Sequence, residues 1–166
     1  MSLTIPALAR HAIPAAFVAV SALNPAVAAA APTGGTSVAL ASTWRACDFS
    51  LIPAAGGQND ATTSAVVHAT GGTVTAEVHL VNPSAPGTHY EVRLIQAPRA
   101  ANSPCGSAGP GVAVGGLDSD GGGQATTTVQ DSIRPGTTGV WVSIQRPSPY
   151  SQTPAEFYTS DIVTPV

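Results

Sequence analysis

The chain has 166 residues, of which only 9% are charged, and its basic side chains are six arginines with no lysine. This length is the usual size of one domain with one hydrophobic core, which excludes a second large domain. The formal net charge of −3 excludes a surface that follows nucleic-acid phosphates, because such a surface needs clustered basic side chains.

The N-terminal segment predicts a cleavable secretory signal peptide over residues 1–30. Arg10 and His11 precede an apolar run at 12–20, and small residues suited to cleavage after Ala30 follow it. An uncleaved membrane anchor is the alternative, but two prolines interrupt the stretch and it is shorter than the ~20 residues that a span needs. The product is therefore expected to be secreted, outside the cell or in the cell envelope, without a transmembrane span.

The mature chain, residues 31–166, predicts a single all-β domain after a flexible lead-in at 31–36. Short runs of β-branched and aromatic residues alternate with Gly, Pro, Asn and Asp, and no long window has the apolar period of a helix. Seven to nine strands are expected, the number typical of an immunoglobulin-like antiparallel β-sandwich. The predicted strands cover residues 37–41, 47–52, 63–70, 73–80, 90–96, 112–117, 124–130, 140–145 and 156–163.

A β-hairpin is the most specific local prediction. The runs 63–70 and 73–80 are joined by Gly71-Gly72, a two-residue connection that suits the positive φ angles of a tight turn. Pairing Thr70 with Thr73 places the apolar residues of both runs on one face.

The following strand, 90–96, is predicted to point Tyr90, Val92 and Leu94 inward and Glu91 and Arg93 outward. Its preceding corner, 86–90, has the sequence Pro-Gly-Thr-His-Tyr. This corner resembles the tyrosine corner of immunoglobulin-like and fibronectin type III sandwiches, which implies a bond from the Tyr90 hydroxyl back to the corner backbone. The segment 86–96 is similar in sequence to 135–145, and both begin with Pro-Gly-Thr. This internal similarity predicts that the same corner occurs twice in the fold.

Cys47 and Cys105 are the only cysteines. In a chain bound for an oxidising compartment, a disulfide between them is expected. It would pin a strand beginning at Cys47 to the loop that contains Cys105. A nucleophilic or metal-binding thiol is the alternative, but no Cys-x-x-Cys spacing supports it.

No motif for metal, cofactor or catalytic chemistry stands out. The mature histidines, His68, His79 and His89, lack the short spacing of paired metal ligands, although His79 and His89 flank one corner and leave a two-histidine surface site open. The Asp/Gly segment 118–123 lacks the later ligands of a calcium loop and predicts a hairpin turn. No Gly-x-Ser-x-Gly or phosphate-binding loop is found, so no catalytic residue, metal site or cofactor is predicted.

Two features are open to a binding role. The loop 102–116 is rich in Gly and Pro, with Arg99 and Cys105 near its root, and it is either a binding loop or a plain surface excursion. Trp141 is expected to pack in the core, whereas Tyr150 is expected to be exposed.

The leader, the Pro-Gly-Thr-x-Tyr corner, the single Cys of the following loop and the closing segment 157–163 together resemble small exported proteins of mycobacteria and other actinobacteria. That resemblance implies an exported immunoglobulin-like domain and transfers no active residue. The chain is also similar, more weakly, to apoproteins of the neocarzinostatin type, which hold an apolar chromophore but have two disulfides.

These observations predict a non-catalytic, monomeric module that binds a protein, glycan or lipid and no nucleic acid. A carrier of a hydrophobic small molecule is the first alternative, and it would need a concave apolar pocket. A secreted hydrolase is the second, and it would need a cleft with convergent titratable groups.

Overall fold

A computed structural model describes residues 34–53 and 60–166, and within these ranges it contains strands and no helix. The signal peptide predicted over 1–30 lies outside the described residues. Because the first strand begins at Thr36, the last residue of the predicted lead-in belongs to the sheet. The strands are β1 (Thr36–Ala41), β2 (Thr62–Thr70), β3 (Thr73–Val81), β4 (His89–Ala97), β5 (Val112–Asp118), β6 (Gln124–Ser132), β7 (Gly139–Arg146), β8 (Glu156–Ser160) and β9 (Thr164–Pro165).

All pairings are antiparallel, in the order β5-β4-β7-β8-β1-β2-β3-β6, with β9 added beside β7. β1 joins the two halves of the sandwich, since Thr36–Ala39 pair with β2 and Leu40–Ala41 pair with β8. β5 and β6 contact each other at the open edge, so the sheet nearly closes into a barrel. The chain crosses between halves from β3 to β4 and from β6 to β7, while β3 pairs with β6 and β4 with β7. This is the interlocking of an immunoglobulin-like sandwich, and the fold prediction is confirmed.

The β2–β3 hairpin has the predicted register. Thr70 lies opposite Thr73, and the connecting Gly71 and Gly72 have φ angles of +60° and +82°. A side chain at either position would be strained, which is why a glycine pair marks this turn.

The inward faces of both halves form one core, as the alternation predicted. Val78 of β3 and Val92 of β4 are fully buried, and Tyr90 and Leu94 lie beside them. The remaining fully buried apolar residues of this core are Ala65, Val74, Ala76, Leu80, Val140, Val142 and Ile144. Burying one such aliphatic side chain contributes about 1.5–3 kcal/mol, so these strands supply most of the hydrophobic stabilisation.

Both copies of the Pro-Gly-Thr corner lie where the chain crosses from one half to the other, as the internal similarity predicted. The hydrogen bond implied for the tyrosine corner is wrong. The Tyr90 hydroxyl accepts a bond from Asn82 Nδ2 at 3.1 Å and donates one to Glu156 Oε2 at 3.2 Å, so buried side chains take the place of the corner backbone.

Two predicted strands have different bounds. Residues 47–50 form a turn, in which the Asp48 carboxylate accepts bonds from the backbone and hydroxyl of Ser50 and Phe49 has a φ of +71°. Such side-chain bonds to the local backbone compete with strand formation. Leu51 then forms a single antiparallel bridge with Arg45. The last predicted strand ends at Ser160, and a bend separates it from β9.

The Asp/Gly segment forms the predicted turn between β5 and β6. Asp120 Oδ1 accepts bonds from the backbone N–H groups of Gly122 and Gln124, at 2.8 and 2.9 Å. These bonds lower the pKa of the exposed Asp120 carboxyl, and its role is therefore to cap the turn.

Candidate functional site

The outer face of the β4–β7 pair carries the side chains that do not point into the main core. The end of this face at Ile95 and Trp141 is apolar, and the end at Glu91 and Gln145 is polar. The cross-strand pairs on this face are Glu91–Gln145, Arg93–Ser143 and Ile95–Trp141. Because alternate residues of a strand point to opposite faces, this row stands outside the main core.

The outer face is covered by two segments that a disulfide holds together. Cys47 and Cys105 are bonded, with their Cα atoms 5.7 Å apart, as predicted from the sequence. Cys47 belongs to a turn, so the bond pins two loops to each other instead of a strand to a loop. Phe49 and Cys105 pack on Ile95 and Trp141 and form a second, smaller hydrophobic cluster. The prediction that Trp141 is buried is confirmed, but it packs in this outer cluster.

Between the covering loops and the sheet lies a cavity of about 310 Å³, which we call the outer-face cavity. This volume is at the lower end of the range for small-molecule sites. Its wall combines aromatic rings with planar polar groups. The lining includes Trp44, Arg45, Arg93, Trp141, Gln145 and Gln152.

Arg93 forms the polar floor of this cavity. Its guanidinium donates to Gln145 Oε1 at 2.6 Å, to Glu91 Oε2 at 2.5 Å and to the carbonyl oxygen of Gly106 at 3.1 Å. Arg93 points away from the main core, as predicted, yet the covering loop leaves only 7% of the residue exposed. Burial lowers the pKa of Arg93, and the Glu91 carboxylate opposes that effect.

Two donor groups in the cavity wall have no acceptor among the described residues. Trp141 Nε1 and Arg45 Nε are both buried without a hydrogen-bond partner. Unpaired buried N–H groups are uncommon in native structures, because each costs about 1–3 kcal/mol. Both nitrogens are closed off from solvent, in residues whose other atoms line the cavity.

The cavity continues into neighbouring depressions. One of about 170 Å³ shares Arg93, Gln145 and Gln152 with it, and another of about 290 Å³ lies on the far side of Trp44, next to Phe157. The Trp44 and Phe157 rings are 5.9 Å apart. Trp44 is half-buried and lines both depressions, so part of its surface borders each of them.

A separate cluster of titratable groups lies inside the core, around Glu156. Its carboxylate accepts four bonds, from Asn82 Nδ2 at 2.9 Å, Arg146 Nε at 3.0 Å, and the hydroxyls of Tyr90 and Tyr158. Glu156 is 2% exposed, and each of its two carboxylate oxygens accepts two of these four bonds. A fully satisfied and enclosed carboxylate has a structural role, because no substrate reaches it.

Alkaline pH is expected to destabilise the protein through the two buried phenols. Burial raises the pKa of Tyr158 and of Tyr90 above the ordinary value of 10.0, and Glu156 raises both further. The native state then holds these protons more tightly than the unfolded chain, so their contribution is complete below pH 10 and is lost as the pH rises above it. Urea unfolding between about pH 8 and pH 11 measures this loss. Tyr158→Phe should flatten the alkaline decline, and an unchanged slope would contradict this explanation.

The histidines do not converge. His68 lies opposite Thr75 and His79 opposite Ser64, so four positions of the ladder separate them, as predicted. His79 contacts Thr126, and His89 pairs with Asp118 at 2.6 Å on the surface. These separate partners give the two-histidine site no support. No group of three metal-ligating side chains occurs among the described residues.

Of the open candidates of the sequence, the loop 102–116 reaches the cavity. It contributes Cys105 and Gly106 to the wall, and its last residues, 112–116, belong to the strand β5. Arg99 holds the loop by donating to the carbonyl oxygens of Pro104 and Pro110, so its role is structural. Tyr150 is 95% exposed, as predicted.

The sequence interpretation missed Trp44, Arg45 and Gln152 as cavity residues. The signal available was the adjacency of Trp44 and Arg45 next to Cys47, since a disulfide carries its neighbours to the place that it pins. Gln152 has no such signal.

No family model, no curated protein and no solved structure matches this chain. The resemblance to exported actinobacterial proteins and to the neocarzinostatin type therefore stays a prediction. The class that the fold and the site define is an all-β sandwich with a disulfide-covered cavity on the outer face of one sheet. No helix of the described residues is long and apolar enough to cross a membrane.

Proposed function

We propose that the mature chain is an exported, non-catalytic module that binds a glycan in the outer-face cavity. Export rests on the predicted signal peptide at 1–30, and the disulfide is compatible with an oxidising compartment. The observation that carries the glycan assignment is a cavity lining that combines the half-buried Trp44 ring with the amides of Gln145 and Gln152.

This combination suits a sugar better than a purely apolar ligand. A pyranose ring presents C–H groups on its faces, which pack on an aromatic ring, and hydroxyl groups at its edge, which pair with amide and guanidinium groups. Gln145 is held in place by Arg93, so it meets a ligand in a fixed orientation. Ordered polar groups lose less entropy on binding, which favours affinity.

The cavity supports binding more than hydrolysis. Glycoside hydrolysis uses two carboxyl groups that flank the scissile bond. Among the described residues that line the outer-face cavity there is no carboxylate and no imidazole. Glu91, in the adjoining depression, is already paired with Arg93.

The interior of the sandwich does not support the alternative of a hydrophobic carrier. The inward side chains of both halves fill the interior, and those of β3 and β4 are fully buried. Native mass spectrometry of protein from its own host distinguishes the two kinds of ligand. A bound apolar molecule adds one mass, whereas bound oligosaccharides add a series of masses spaced by one sugar unit.

Tryptophan fluorescence provides the test, because the only two tryptophans of the chain, Trp44 and Trp141, both line the cavity. Titration of the mature chain with a panel of neutral and acidic oligosaccharides is expected to shift the emission for at least one of them. Calorimetry of Trp44→Ala with that oligosaccharide should show about tenfold weaker binding, equivalent to ~1.4 kcal/mol of lost stacking.

Tyr150→Ala is the matched control, because it removes an exposed aromatic ring that does not line the cavity. Its affinity should equal that of the unmodified chain. An emission spectrum that no oligosaccharide changes, or equal losses in Trp44→Ala and Tyr150→Ala, would overturn the assignment.

A further inference from the structure

The wall of the outer-face cavity holds a cation with no carboxylate partner. Arg45 donates from Nη1 to the carbonyl oxygen of Phe49 at 3.0 Å, and its guanidinium carbon lies 3.9 Å above the centre of the Phe49 ring. Phe49 in turn packs edge-on against Trp141, with ring centres 5.5 Å apart. Arg45 is therefore fixed in the wall by a carbonyl group and an aromatic ring, and neither neutralises its charge.

The other charged residue that lines the cavity, Arg93, is neutralised by a carboxylate. Arg93 is paired with Glu91 at 2.5 Å. All nine side-chain carboxylates of the chain lie in its described part, and none is within 4.0 Å of the Arg45 guanidinium nitrogens. Asp48, three residues along the chain, is bonded to Ser50 instead. The lining thus has one uncompensated positive charge.

The unpaired hydrogen-bonding groups also favour an anionic ligand, because both are N–H donors. Arg45 Nε and Trp141 Nε1 are buried donors without acceptors in the part of the chain that the structure describes, and both belong to residues that line the cavity. A hydroxyl group offers a donor as well as an acceptor, whereas a carboxylate offers acceptors only. The fork of a guanidinium also matches the two oxygens of a carboxylate in geometry.

We infer that the ligand is an acidic glycan, and that the carboxylate of a uronic acid unit binds at Arg45 while the sugar ring packs on Trp44. This inference rests on the proposed glycan function and adds the class of sugar. Phosphate and sulfate esters share the anionic chemistry but lack the planar, two-oxygen end that fits the guanidinium fork.

Two pairs of hexasaccharides that differ only at C6 test it. One pair is cellohexaose and the β-1,4-glucuronan hexamer, and the other is β-1,4-mannohexaose and the β-1,4-mannuronan hexamer. By calorimetry on the mature chain at low ionic strength, the uronate of at least one pair is expected to bind about tenfold more tightly than its neutral partner. The difference should shrink at ~1 M salt, where charges are screened within ~3 Å.

Arg45→Gln should remove the preference for the uronate and leave the affinity for the neutral member within about twofold of its original value. Arg45→Lys keeps the charge and should retain part of the preference, which separates loss of charge from disturbance of the loop. Arg134→Gln is the matched control, because Arg134 is exposed, lies outside the cavity and has no carboxylate within 4.0 Å. It should leave the preference intact.

The outcomes separate the two proposals. Equal binding of uronate and neutral members would overturn the acidic specificity and leave the glycan function standing. Binding by none of the four would count against both. Equal weakening of both members in Arg45→Gln, with no recovery in Arg45→Lys, would show that Arg45 only supports the loop and would overturn its role as the anion site.

Discussion

Alanine in place of Glu156 is expected to lower the free energy of unfolding by about 3–5 kcal/mol, the range for removing one member of a buried, charged network. The substitution leaves the hydroxyls of Tyr90 and Tyr158 without the carboxylate that accepts from them, and Asn82 Nδ2 loses one of its two acceptors. It also opens a cavity where the carboxylate was packed. Urea denaturation at neutral pH, followed by circular dichroism, measures the change.

Two further variants make this prediction specific. Glu156→Gln keeps the size of the side chain but replaces one acceptor oxygen with a donor, so it is expected to be destabilised as well, though less than the alanine variant. Glu77→Ala is the matched control, because Glu77 is an exposed residue of β3 and should change stability by no more than about 0.5 kcal/mol. A Glu156→Ala variant as stable as Glu77→Ala would refute the structural role of the network.

Removal of the Cys47–Cys105 disulfide is expected to cost about 4 kcal/mol in the chain-entropy account, because the bond closes a loop of 58 residues in the unfolded chain. The double variant Cys47→Ala/Cys105→Ala should therefore unfold at a lower urea concentration. Since both cysteines line the outer-face cavity, glycan affinity should fall even under conditions where the sandwich is folded.

Reduction of the unmodified chain provides the control for this effect. A thiol reductant should lower its stability to that of the double variant and should leave the double variant unchanged. A double variant with normal stability and normal glycan affinity would show that the two covering loops hold their place without the bond.

The local part of the fold could be predicted because strand alternation is a property of neighbouring residues. The β2–β3 register follows from the apolar period of the two runs and from Gly71-Gly72, and it needs no distant contact. The inward direction of Tyr90, Val92 and Leu94 is equally local. Cys47 and Cys105 could be paired because they are the only two cysteines in a chain predicted to be exported.

The candidate site could not be predicted in the same way, because its residues are distant in sequence. Arg93 alternates outward as expected, yet a loop held by Cys105 covers it and gives it the carbonyl group of Gly106 as a partner. Glu156 meets Asn82 across 74 residues and Tyr90 across 66, and no local pattern specifies such contacts. The turn at 47–50 also overrode an alternating pattern, because Asp48 bonded to Ser50 instead of entering a ladder.

The sequence by itself determined the class of the fold, the face of each strand that enters the core, and the disulfide, because hydrophobic period, turn residues and cysteine number act at short range or leave one solution. Only the tertiary structure decided which outer face became covered, which polar side chains were buried in pairs, and that Trp44 and Arg45 border a cavity. These features arise where loops fold back over the sheet, and the energy of such contacts depends on partners that the chain brings together only once it has folded.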